Sequence, residues 1–192
     1  VAEWNRVEDR FDKICAKAEK SSISVLIDAE ESWIQKPIDD LTEKLMIKYN
    51  KNSCIVYNTI QAYRSDRLEY LTDMHIRLLE YNVKIGIKLV RGAYMEKERE
   101  RAKTNNYKSP ICETKTKTDE NFNNCMNYIF DNLHDFHLFI GSHNEKSNIL
   151  ATKIMGRNKL RNNDGRVWYS QLFGMSDHIS FNLALNGFNV AK

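Results

Sequence analysis

The chain has 192 residues, of which 29 are basic and 26 acidic, and its formal net charge is +3. This near-neutral balance predicts no nucleic-acid partner. No apolar run reaches the roughly 18 residues of a membrane span, so we expect at most peripheral membrane contact. The N-terminus, Val1–Arg10, is charged and has no secretory signal. The four cysteines show no CxxC spacing, which favours reduced thiols and predicts neither a disulfide nor a metal site.

Short apolar runs alternate with amphipathic stretches along the chain. The first half predicts, in order, a helix over Val1–Glu19, a strand over Ile23–Ala29, a helix over Ile38–Tyr49, a strand over Ser53–Thr59, a helix over Arg67–Tyr81 and a strand over Val83–Val90. The second half predicts a helix over Glu96–Lys103, a helix over Phe122–Leu133, a strand over Phe136–Ser142, a helix over Lys146–Met155, a strand over Arg166–Leu172, a helix over Ser180–Leu185 and the start of a strand over Phe188–Lys192. Thr104–Thr118 is polar and has no clear period.

Strands that are apolar on both faces and alternate with helices indicate a parallel α/β sheet. A doubly wound sheet and a (β/α)₈ barrel both satisfy this pattern, and periodicity alone does not separate them.

Polar residues concentrate where the predicted strands end. These strand ends carry Asp28, Asn58 and Gln61, Lys88 followed by the turn Arg91–Tyr94, Ser142–Asn144, and Gln171 before the apolar Leu172. Ligands of parallel α/β folds bind at the carboxyl ends of the strands. The pattern therefore predicts a ligand site at that edge of the sheet.

Most of these residues also have an ordinary structural interpretation. Asp28 could cap the helix that follows it. Lys88 lies inside an apolar strand, so it either points inward to a carboxylate or bound anion, or extends outward to solvent. His143 alone could be a hydrogen-bonded structural histidine.

The turn 91–93 (Arg-Gly-Ala) offers small residues, backbone N–H groups and a cation, which suits a pyrophosphate. An ordinary turn before a solvated helix is the alternative. The charged run Glu96–Arg101 is predicted to be a solvated helix face with i,i+4 ion pairs.

Several segments resemble, in order and spacing, the proline dehydrogenase family. They are IDAEESW (27–33), NTIQAY (58–63), KLVRGAYMEKER (88–99), SHNEKS (142–147) and QLFGMSDHISF (171–181). The resemblance runs through nearly the whole chain and is closest to the single-function and Bacteroidetes-like versions.

The resemblance implies a partial (β/α)₈ barrel, with about strands three to seven and the start of strand eight in a single domain over 1–192. It implies non-covalently bound FAD, oxidation of L-proline to Δ1-pyrroline-5-carboxylate by hydride transfer to flavin N5, and a quinone electron acceptor. A cytoplasmic location in a bacterium, with possible membrane association, or a mitochondrial one in a eukaryote, and a possible oligomer are further expectations.

The same resemblance assigns roles to individual residues. Asp28 and Lys88 are the implied catalytic residues, and Asp28 and Leu172 are the implied substrate contacts. The implied cofactor ligands are Ala29, Gln61, Lys88, Arg91, Gly92, Ala93, Tyr94, Met95, Lys115, Thr118, Ser142, His143 and Asn144, with Lys115 and Thr118 in a loop.

Family members hold the proline carboxylate with a lysine and an arginine pair, and cover the ring with a tyrosine. We find none of these groups in the sequence, so we expect this segment alone to be inactive and to need other segments or chains over its open sheet edges. The alternatives are a metal- or phosphate-dependent barrel enzyme that uses Asp28, Glu30 and His143, and a non-catalytic barrel remnant.

Overall fold

Six parallel strands in consecutive order form the centre of the fold. A computed structural model of the chain describes residues 2–192. The strands are β1 (Val25–Ile27), β2 (Val56–Gln61), β3 (Ile85–Val90), β4 (Phe136–Gly141), β5 (Val167–Ser170) and β6 (Val190–Ala191). The helices are α1 (Ala2–Ser21), α2 (Ser32–Tyr49), α3 (Arg67–Leu79), α4 (Met95–Thr104), α5 (Lys115–Asp131), α6 (Glu145–Arg157) and α7 (Asp177–Leu185).

The strand order decides between the two folds that periodicity left open. Each strand pairs with the next along the chain, in the order β1-β2-β3-β4-β5-β6. A doubly wound sheet reverses its strand order at a switch point, and no reversal occurs within residues 2–192. The sheet curls into a half-barrel, which confirms the predicted partial (β/α)₈ architecture.

The two faces of the curled sheet differ in their side chains. The face toward the helices carries the main core, including Ile60, Ile87, Leu138 and Tyr169, all fully buried. Because side chains alternate along a strand, the inner face carries the other set. Its lower part holds an aromatic group in which Phe139 lies against Tyr57 and stacks on Trp168 at centroid distances of 6.3 and 6.0 Å.

Gly86 makes room for this inner layer. It pairs in register with Tyr57, and a Cβ on Gly86 would lie 2.7 Å from the Tyr57 ring and 2.5 Å from the Val56 carbonyl oxygen. Such contacts are too short for any side chain, so only glycine fits here.

Three predicted helix starts are wrong by three residues or more. α7 begins at Asp177 and not at Ser180. α2 begins at Ser32 and not at Ile38, so Pro37 lies inside the helix. α5 begins at Lys115 and not at Phe122, within the stretch that had no clear period. The signal there was Thr114, whose side chain accepts a hydrogen bond from the Lys117 N–H at 3.1 Å as an N-cap.

The predicted first helix is present from Ala2, while its first residue, Val1, lies outside the described residues. Within residues 2–192, no helix combines the length and the apolar character needed to cross a bilayer.

Candidate active site

A cavity of about 650 Å³ opens at the carboxyl ends of β1 to β5. Its walls come from the strand ends and the loops that follow them. The lining residues are Asp28, Ala29, Glu30, Thr59, Gln61, Lys88, Val90, Arg91, Gly92, Ala93, Tyr94, Lys115, Gly141, Ser142, His143, Asn144, Ser170 and Leu172. Most of the residues predicted from the strand ends therefore lie around one hollow.

The side chains of Asp28, Gln61, Lys88 and His143 come from four separate strand ends and line this same cavity. Parallel strands bring their carboxyl ends to one rim, which is why sequence-distant residues meet here. This placement is what a shared ligand site requires.

Lys88 points inward and pairs with Asp28. Its Nζ lies 2.5 Å from Asp28 Oδ1, and the lysine side chain is 23% exposed. The outward alternative for Lys88 is therefore wrong. The Asp28 side chain is 69% exposed, so solvent screens the pair and its contribution to stability is about 1 kcal/mol or less. Both charged groups remain accessible to a molecule in the cavity.

Glu30 organises the wall between Gln61 and Tyr94. The Gln61 side-chain amide donates to the Glu30 carbonyl oxygen at 2.6 Å, and the Tyr94 hydroxyl donates to the Glu30 carboxylate at 2.9 Å. The bond to this carboxylate raises the pKa of Tyr94 above its usual value. Gln61 is thus held at the rim of the cavity through backbone and not through another side chain.

The turn after β3 adopts a conformation that only glycine tolerates well. Gly92 has φ +124°, and a Cβ at this position would lie 2.5 Å from the Tyr63 ring. Tyr63 is itself buried. The turn therefore requires glycine at this position to pack on Tyr63, and it lines the cavity before leading into α4 at Met95.

Arg91 is bound by protein groups on several sides. Its guanidinium donates to Asp119 and Ser142 at 2.8 Å each and to Ser147 at 3.0 Å, and it lies 4.4 Å from the centroid of the Phe122 ring. A guanidinium has five N–H donors, so these bonds leave part of it available to the cavity.

Asp119 forms ion pairs with Arg91 and Lys115, and the sequence analysis did not predict it as a site residue. Burial would raise the pKa of Asp119, but hydrogen bonds from Lys115 and Arg91 outweigh it and hold this pKa below its usual value. Lys115 lines the cavity from the first turn of α5 and bonds Asp119 at 2.6 Å.

The loop placement predicted for Lys115 and Thr118 is wrong, because both lie in the first turn of α5. Thr118 and Met95, both predicted cofactor ligands, are not among the cavity-lining residues. Thr118 Oγ1 bonds the Thr114 carbonyl of its own helix at 3.4 Å, and Met95 is 41% exposed.

The segment after β4 combines a helix cap with a cavity wall. Asn144 accepts a hydrogen bond from the Ser147 N–H at 3.1 Å and caps α6. His143 Nδ1 lies 3.1 Å from the Oγ of Ser176, and the backbone of Ser176 has φ +52°. His143 is therefore oriented by the loop after β5.

Gln171 was among the predicted strand-end groups, but it does not line the cavity. It is buried, donates to the Ser142 carbonyl and accepts from Ser180 at 2.7 Å. Its neighbour Leu172 lines the cavity and is 67% exposed. Both residues directly follow β5, and Leu172 continues the alternation that places Ser170 on the cavity side, while Gln171 lies on the other side.

Sequence reasoning missed several wall residues. They are Thr59, Val90, Gly141 and Ser170. All four lie two positions from a predicted residue, so the period-two alternation of a strand was the available signal. Within residues 2–192, no three His, Cys, Asp or Glu side chains cluster in a way that could hold a metal ion.

Comparison with known proteins places this geometry in a family context. The sequence profile of the family described as proline dehydrogenase matches residues 3–192. The chain is 36% identical to proline dehydrogenase 2, mitochondrial, of Arabidopsis thaliana, over 99% of the chain and 41% of that protein. It is 35% identical to the carbapenem antibiotics biosynthesis protein CarD of Pectobacterium carotovorum, over 98% of the chain and 48% of that protein.

A human relative and a solved structure agree with these matches. The chain is 34% identical to human proline dehydrogenase 1, mitochondrial, over 99% of the chain and 32% of that protein. Proline utilization A from Bdellovibrio bacteriovorus superposes with a TM-score of 0.90 at 19% identity, over 97% of this chain and 19% of that one. At that identity the likeness concerns the fold. The chain spans less than half the length of each of these relatives.

Proposed function

The chain belongs to the proline dehydrogenase family, and on that basis we propose that it forms the flavin-binding part of an enzyme that oxidises L-proline. The observation that carries this proposal is the gathering of Asp28, Gln61, Lys88 and His143 around one cavity at the carboxyl ends of the strands. We further propose that residues 1–192 are one domain, the central portion of the barrel.

The donors of the cavity suit a dinucleotide. Gly92 and Ala93 line the cavity, and the turn that holds them leads into the N-terminus of α4 at Met95. Helix N-termini and free backbone N–H groups favour phosphate oxygens. Lys115 and the unoccupied N–H groups of Arg91 would add positive charge on the same side.

The other end of the cavity suits a flavin ring and a small zwitterion. FAD, when bound, would supply the hydride acceptor, and loss of a hydride from C5 of proline and of a proton from its amine nitrogen would give Δ1-pyrroline-5-carboxylate. Lys88 and Gln61 would stabilise the negative charge that a reduced ring gains, because both side chains carry N–H donors and line the cavity. Asp28, Ala29 and Leu172 would position proline, and Ser142, His143 and Asn144 would hold the opposite edge of the ring. The quinone acceptor, an oligomeric state and the cellular location stay predictions.

The test uses protein that contains residues 1–192, titrated with FAD and followed by flavin absorbance and fluorescence. Saturable binding is expected, and loss of binding in the Lys115→Met variant would locate the phosphates. Anaerobic addition of L-proline should bleach the bound flavin if the substrate-holding groups are present in the protein used. A folded protein that binds no flavin, or a bound flavin that trans-4-hydroxyproline bleaches and proline does not, would overturn the proposal.

A further inference from the structure

One residue of the charged run on α4 does not behave as the sequence predicts. Of the residues from Glu96 to Arg101, only Glu98 is buried, and its exposed fraction is 0%. The predicted solvated face is therefore wrong at this position. A fully buried carboxylate is costly unless donors satisfy both oxygens, so its partners identify what it is for.

Both donors to Glu98 come from one residue of another helix. The Ser32 N–H donates to Glu98 Oε1 at 2.5 Å, and the Ser32 hydroxyl donates to Oε2 at 2.7 Å. Ser32 is the first residue of α2, and its N-cap, Glu31, makes no side-chain capping bond. Glu98 thus caps α2 from a distance of 66 residues, where a negative charge also favours the helix dipole.

The capped end of α2 directly follows the loop 28–31, which carries part of the cavity wall. Asp28, Ala29 and Glu30 of this loop line the cavity. The turn after β3 and α4 make two further contacts with this loop. The Tyr94 hydroxyl bonds Glu30, and Lys97 pairs with Glu31. The turn after β3 and the start of α4 therefore clamp the loop that follows β1, although β2 lies between the two strands.

We propose that Glu98 is a positioning residue, which fixes the loop 28–31 so that Asp28 and Ala29 stay on the wall of the cavity that the turn 91–94 also lines. Its consequence for a bound flavin rests on the proposed function. Its consequence for the loop does not, because the bonds to Ser32 are made entirely between groups of the protein.

The test compares three variants. Glu98→Ala removes both acceptors and leaves the Ser32 N–H without its partner. Glu98→Gln keeps one acceptor with the same shape and serves as the conservative variant. Glu100→Gln removes a charge from an exposed position of the same helix and is the matched control.

The first measurement is amide hydrogen exchange of the peptide over residues 28–36 in flavin-free protein. Loss of a buried charged hydrogen bond predicts exchange that is faster by about tenfold or more in Glu98→Ala. Glu98→Gln should lie between this variant and the wild type, and Glu100→Gln should match the wild type. If Glu98→Ala does not fold, Glu98→Gln decides the question, and exchange equal to that of Glu100→Gln overturns the proposal.

The second measurement is the visible spectrum of FAD at saturation, with its dissociation constant. A purely structural role would lower the melting temperature and leave the bound-flavin spectrum unchanged, and that result also overturns the proposal. A positioning role predicts a shifted spectrum and a dissociation constant raised by about tenfold in Glu98→Ala, with partial rescue in Glu98→Gln. If the wild type binds no FAD, the proposed function fails, while the exchange measurement still tests the loop.

Discussion

Replacement of Gly92 by alanine would destabilise the turn after β3 for two separate reasons. The backbone has φ +124°, a region that costs a residue with a Cβ about 1–3 kcal/mol. The added methyl carbon would also lie 2.5 Å from two carbons of the Tyr63 ring, and overpacking of this kind costs about 1–3 kcal/mol. Tyr63 is 3% exposed and has little room to move. The expected loss in the free energy of unfolding is therefore about 2–6 kcal/mol.

Two other glycines separate the backbone effect from the clash. Gly174 has φ +75°, but a Cβ added there would meet no atom within 4 Å, so Gly174→Ala tests the backbone alone, at about 1–2 kcal/mol. Gly156 lies in α6 with open space around it, and Gly156→Ala should stabilise the protein by about 0.5–1 kcal/mol. Urea unfolding of the three variants and the wild type, followed by circular dichroism, gives the ordering.

The reasoning predicts that Gly92→Ala is clearly less stable than Gly174→Ala, and that it weakens FAD binding while Gly174→Ala does not. Equal unfolding free energies for these two variants would refute the role assigned to the Tyr63 contact. Unchanged flavin affinity in a folded Gly92→Ala protein would refute the proposal that the turn 91–93 holds the FAD phosphates.

Lys88→Met should change the free energy of unfolding by about 1 kcal/mol or less, because the partly exposed pair with Asp28 contributes little. The same variant should weaken FAD binding. A loss above about 3 kcal/mol in urea unfolding would show instead that the ion pair is structural. His137 provides a pH test, because burial lowers its pKa to about 4 in the folded protein, against about 6.5 when unfolded. Between these two pH values the unfolded chain binds a proton on His137 that the folded protein does not bind. The free energy of unfolding therefore falls as the pH drops from about 6.5 to about 4, by roughly 2 kcal/mol once the partial exposure of His137 is allowed for. His137→Gln should remove this part of the pH dependence in unfolding experiments at matched pH, and identical profiles for variant and wild type would contradict the reasoning.

Local sequence patterns were sufficient to predict the strands and many of the residues that line the cavity. The apolar run that ends at Asp28 and the one that contains Lys88 predict strands because period and composition are local properties. Since all parallel strands end at one rim, the same patterns also predicted that both strand ends would lie at that rim. The starts of α2 and α5 were harder to predict, because the capping of α2 depends on Glu98, 66 residues away, and because a single Thr114 was the only local signal for α5.

The sequence by itself determined the alternation of strands and helices, the family and the polar residues at the strand ends. Each of these follows from short-range periodicity or from contiguous motifs. Only the tertiary structure decided that Lys88 faces Asp28, that Arg91 is bound by Asp119, and that Glu98 is the buried member of a charged run. These outcomes depend on which helix packs beside which loop. A helix of charged residues has no local property that marks the one turned toward a distant helix N-terminus.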